Sequence, residues 1–128
     1  MIAVFDVAVF DRLIDDLDSR VIALNFLRDF TEMLDDRMNA IEQALKAESF
    51  DESLRSLHSL RASAAMIGAR QLDASTTLAL ETKHFEATAI GPLVRKLQGQ
   101  ADLFRTASAR IATLDDSVEH HANARRRA

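Results

Sequence analysis

His58 lies in the run Ser56-Leu57-His58-Ser59-Leu60-Arg61-Ala62-Ser63-Ala64-Ala65-Met66-Ile67-Gly68, the one stretch of the chain that gives a reactive side chain an open setting. Read as a helix, Leu54, Leu57, Leu60, Ala64 and Ile67 fall on one face and are expected to be buried. His58 points elsewhere, beside Ala62 and Ala65, whose small side chains leave the imidazole open to approach. Arg61, three residues on, reaches any group attached to the ring. An exposed histidine, a nearby cation and a cleared surface suit the acceptance of a charged group from another macromolecule.

The neighbours keep readings of their own. Any anionic group carried on the ring would be neutralised and hydrogen-bonded by Arg61. Ser63 projects sideways and is expected to bond a backbone carbonyl or a neighbouring helix rather than the anion. Arg55, one turn before His58, is either an attractor for an acidic partner or an ordinary solvated arginine. The other histidines have no such setting. His84 follows Lys83 on what reads as a solvated face, and His120 and His121 stand where the helical pattern fades, without a third metal ligand.

The chemistry that is missing narrows the field. With no cysteine, the chain has neither disulfides nor thiolate chemistry. No Gly-rich phosphate loop, Walker-type run or cluster of carboxylates is present to hold a nucleotide or a metal, so no cofactor is expected. A net charge of −4 disfavours nucleic acid as the main partner. Arg125-Arg126-Arg127 reads as a solvated tail, with contact to an acidic surface as the alternative. The apolar start, Met1 to Phe5, lacks the basic flank of a signal peptide. No uncharged run approaches the roughly 18 residues of a membrane span, so a cytoplasmic protein is expected.

Five helical segments position these residues. Three glycines and one proline in 128 residues already point to an all-α chain. A short helix is predicted over 7–17, with Asp6 as N-cap. Asp18-Ser19 breaks the chain, and a long helix follows to about Ala47 through Val21, Leu24, Leu27, Phe30 (or Thr31), Leu34, Met38, Ile41 and Leu45. Ser49-Phe50-Asp51-Glu52 has the form of a capping box and opens the helix carrying His58. Gly68 stops or kinks it. A further helix is predicted over 69–86, through Leu72, Ala79, Leu80 and Phe85. Ile90-Gly91-Pro92 reads as the clearest break, with Pro92 in the first turn of the last helix.

That last helix runs through Leu93, Leu97, Ala101, Phe104, Ala107, Ile111 and Leu114, and the pattern fades from Asp115. The expected architecture is an antiparallel up-and-down four-helix bundle with the first helix as a lid. Residues 1–128 are expected to form a single domain, with a core over about 6–115 and a frayed tail over 116–128. Phe5, Val9 and Phe10 either pack under that lid or leave apolar surface for docking.

With these residues in place, the chain resembles the histidine-containing phosphotransfer (HPt) domain, the carrier module of multistep phosphorelays. That family's pattern is approximately H-x-L-K-G-S-[SA]-x-x-[LIV]-G-A. His58, Leu60, Ser63, Ala64, Ile67, Gly68 and Ala69 match it, and Arg61 replaces the usual lysine with its charge kept. The resemblance extends to Phe26-Leu27, Phe30 and Leu34, to Leu80-Glu81, and to roughly residues 6–115.

It implies that His58 exchanges a phosphoryl group with the aspartate of a response-regulator receiver domain, for example that of a hybrid histidine kinase. The receiver supplies the Mg²⁺. The resemblance also implies a monomeric carrier without autokinase activity, rather than an enzyme in the strict sense.

Two positions depart from the pattern. Ala62 stands where the family has glycine, and Met66 where a polar residue is usual, both on the face a partner must approach together with Ser59 and Ala65. An adaptor that docks a receiver or another helix without phosphotransfer is therefore the alternative. His58-Ser59-Leu60-Arg61 is also similar to the histidine box of kinase dimerisation domains, but Ser59 replaces its acidic residue and Ser63 its proline.

Overall fold

Short polar side chains fix where the first helices start. Asp6 accepts a hydrogen bond from the Ala8 amide at 3.1 Å and opens α1 (Val7–Leu17). Asp18 then turns through the left-handed region, and Ser19 accepts from the Ile22 amide at 3.1 Å to open α2 (Arg20–Lys46). The remaining helices are α3 (Phe50–Ile67), α4 (Arg70–Glu81) and α5 (Ala87–Arg127). The computed structural model describes residues 2–82 and 86–127, with side chains to residue 111. All regular structure among them is helical.

Helices α2, α3, α4 and α5 each pack on the next, and α5 returns to α2, which closes a four-helix bundle. Among the described residues the backbones of the diagonal pairs of helices do not approach closely, and buried side chains fill the middle. Leu34, Ile41, Leu60, Ile67 and Leu97 are fully buried there. Each such side chain contributes on the order of 1.5–3 kcal/mol by leaving water.

Helix α1 lies across α2 and α3, as a lid should. Phe10 is 1% exposed, and Phe5 stacks on Phe104 with ring centroids 5.0 Å apart. Phe30 meets the same Phe104 edge-on at 5.4 Å. Phe5 and Phe10 are thus taken up by the bundle, with Val9 half-buried beside them.

Several expectations from the sequence need correction. Ser49 sits at the start of α3, but its side chain makes no capping bond, so the capping box is not formed. The first turn is closed instead by the Ser53 amide on the Ser49 carbonyl at 2.9 Å. Val21 is 58% exposed and Ala23 takes its place in the core, because α2 turns its stripe slightly from the predicted register. Leu54 is only half-buried, since it lies about 40° round the helix from His58 and not on the inner face. Helix α4 ends at Glu81, where Thr82 becomes extended, five residues before the predicted end. Phe85 lies outside the described residues.

The largest departure is at Pro92. Helix α5 begins at Ala87 and runs straight past it, so Ile90-Gly91-Pro92 is no break. The missing N–H orphans the carbonyl of Thr88, which is exposed and can bond water. Ile90 and Val94, 7% and 3% exposed, hold the helix to the bundle on either side. Pro92→Ala is expected to raise stability by about 1–3 kcal/mol, read as a higher denaturation midpoint with an unchanged slope. At its other end α5 extends to Arg127.

Candidate functional site

Helix α3 holds His58 at its middle. Leu57 and Leu60, 1% and 0% exposed, fasten the turns on either side into the core. Ala64 and Ile67 continue the buried stripe, both at 0%. His58, Ser59, Ala62 and Ala65 are left exposed on the outer side. Met66 joins them, half of its surface open, and Met33 of α2 is open to nearly the same degree. The ring thus stands on a surface of small residues, with the exposed Met66 about two turns further along the same helix.

Gly68 explains how this helix ends. Its φ of 89° is left-handed, and its amide donates to the Ala64 carbonyl at 3.1 Å. Its own carbonyl accepts from the Asp6 amide at 2.8 Å, which ties the lid segment to the α3–α4 corner. Ala69, fully buried, allows α4 to begin at once.

The cations around His58 fall on two flanks. Arg61 lies about 60° round the helix on one side. Its Nε is 4.0 Å from Oδ1 of Asp73 on α4, with Arg61 exposed and Asp73 half-buried. Arg55 lies about 60° round on the other side, toward α2, and has no ion pair among the described residues. Because the Arg61–Asp73 pair is long and partly solvated, Asp73→Asn is expected to change stability by less than about 0.5 kcal/mol in a denaturant titration.

Sequence reasoning missed Arg37. This α2 residue donates from Nη1 to the Ser63 hydroxyl at 3.0 Å and to the Ser59 carbonyl at 3.3 Å. It pins the turn of α3 that follows His58. Ser63 is therefore engaged with a neighbouring helix. The available signal was indirect: Arg37 directly precedes Met38 in the buried stripe of α2, so it had to flank the face that α2 turns to the bundle. Asp73 was also missed, for want of any register between α3 and α4.

His84 lies outside the described residues, and so do the side chains of His120 and His121. Among the described residues no three histidine or acidic side chains converge to hold a metal. No helix among them is long and apolar enough to cross a membrane.

The profile of the Hpt domain family matches residues 25–124. The chain therefore belongs to the Hpt domain family, the phosphotransfer-type domains of two-component signalling. Its fold is similar to the crystal structure of the HPT domain from an Hpt sensor hybrid histidine kinase from Shewanella, with a TM-score of 0.63. That likeness covers 82% of this chain and 92% of the other at 14% identity, so it speaks for the fold. No curated protein sequence matches the chain significantly.

Proposed function

We propose that the chain is a cytoplasmic, monomeric phosphoryl carrier with His58 as acceptor and Arg61 as its electrostatic partner. The observation that carries this reading is the exposed imidazole at the centre of a helix face left clear by Ala62 and Ala65, in a member of this family. The donor is the aspartyl phosphate of a receiver domain, with Mg²⁺ on the receiver. A lone pair on the exposed ring nitrogen attacks phosphorus. The N–P bond forms as the O–P bond to the aspartate breaks, and the aspartate leaves as a carboxylate. The other ring nitrogen keeps its proton. The reverse step restores the aspartyl phosphate and frees the histidine.

Arg61 stabilises the transferred group because a guanidinium can offer two parallel N–H bonds to phosphate oxygens. To do so it leaves Asp73, which a partly solvated pair at 4.0 Å permits at little cost. Ala62 and Met66 make the docking face more apolar than the family pattern, and Ser59, Ala65 and Gly68 keep it low and firmly ended.

The test loads a receiver domain with labelled phosphate and follows acid-labile label on this protein. Uptake by the wild type is the expected result. A receiver that binds and transfers nothing overturns the carrier reading and leaves an adaptor, a role the apolar Met66 surface would serve.

A further inference from the structure

Arg37 and Arg55 face a shallow groove of about 250 Å³ between α2 and α3, lined also by Ala40, Ser56 and Ser59. No carboxylate lines it among the described residues. Three other arginines are answered by acids, Arg61 by Asp73, Arg70 by Asp6, and Arg105 by Asp35 and Asp102, while Arg12, Arg28, Arg95 and Arg110 make no ion pair among the described residues and do not line this groove. A groove between α2 and α5 also holds two arginines, Arg28 and Arg105, but Glu32 and Asp35 line it with them.

Arg37 and Arg55 have no ion pair among the described residues. Asp51 stands four residues before Arg55, at the spacing for a helical ion pair, yet the pair is not made. Arg37 uses only Nη1 in the hydrogen bonds to α3, so its Nε and Nη2 donors remain for another acceptor. The hydroxyls of Ser56 and Ser59 likewise have no partner among the described residues. Two guanidinium groups that line one groove repel each other, and an anion between them is attracted to both and offsets that repulsion.

The two flanks of His58 therefore differ. An acidic group approaching over α4 meets Asp73, whereas one approaching over α2 meets two unanswered cations. We propose that the α2–α3 groove seats an aspartate or glutamate carboxylate of the protein that docks on His58, and so sets that partner's rotation about the histidine. The proposal rests on the carrier reading for the identity of the docked protein; the groove's preference for carboxylate stands apart from it.

The test titrates the full ¹⁵N-labelled chain with a hexaglutamate peptide at low salt and follows backbone amides and arginine Nε–H signals. Saturable shifts are expected at Arg37, Arg55, Ser56 and Ser59. They should weaken as salt rises to about 0.15 M, where the screening length falls to about 8 Å. Arg55→Gln should weaken binding about two- to fivefold. Arg55 makes no contact that the fold needs, so this variant decides the matter, and Arg37→Gln is compared after its folding is confirmed by circular dichroism.

Shifts centred on Arg61 and Arg70, or spread evenly over the arginines, overturn the proposal. So does an Arg55→Gln titration equal to wild type. If the groove takes the peptide while His58 never takes phosphate, the carboxylate seat stands and the carrier reading falls. If His58 takes phosphate while the groove ignores the peptide, the carrier reading stands and the carboxylate seat falls.

Discussion

His58→Gln is expected to abolish phosphoryl uptake from a loaded receiver, to the background of the assay, while the protein stays folded and still binds the receiver. Glutamine keeps much of the size and polarity of imidazole but has no ring nitrogen to attack phosphorus. The position is exposed and makes no hydrogen bond that the helix depends on, so stability should change by less than about 0.5 kcal/mol. Transfer measured beside a melting curve separates the chemical loss from unfolding. If His58→Gln still carries acid-labile label, another histidine is the acceptor and the site is misassigned, although the family is not.

Gly68→Ala is expected to destabilise the protein by about 2–3 kcal/mol, through two causes that add. A residue with a Cβ at φ 89° sits in the left-handed region, which costs about 1–2 kcal/mol. The new Cβ would also stand 2.5 Å from the Asp6 carbonyl oxygen and 3.3 Å from Cβ of Val9. Backbone cannot swing aside as a long side chain does, so the lid segment must withdraw and weaken the Asp6 amide bond to the Gly68 carbonyl. A net bond of that kind contributes about 0.5–1.5 kcal/mol. Chemical denaturation gives the loss directly. Hydrogen exchange at the Asp6 amide should rise more than at Leu60, because the lid end loosens first. An unchanged denaturation midpoint would mean that the segment can shift freely.

The local features of the site are legible in the residue string because they are set by neighbours. Periodicity places Leu57, Leu60, Ala64 and Ile67 inside, and His58, Ala62 and Ala65 outside, since an α-helix fixes those directions within a few residues. Gly68 announces the end of α3 for a similar reason: few other residues accept its backbone angles. Longer-range decisions are hidden. Arg37 meets Ser63 across 26 positions, and that contact depends on the register of α2 against α3, which the sequence of neither helix contains. Pro92 misleads because a local penalty of a few kcal/mol is outweighed by the burial of Ile90 and Val94. Ser49 has the right residue type for a cap, but the backbone entering α3 does not bring its hydroxyl to an amide.

The footing of His58 has a kinetic corollary. Its helix is clamped from the core by Leu57 and Leu60, from the side by Arg37, and at its end by the Gly68 corner. The ring can turn about its own side-chain bonds, but the ground beneath it does not shift to meet a visitor. In-line alignment of nitrogen, phosphorus and leaving oxygen must then come from the angle at which the visitor lands. Two receivers of equal intrinsic reactivity should differ in transfer rate by how squarely they settle on α3. Selectivity among donors becomes a matter of seating, with the histidine as a fixed post.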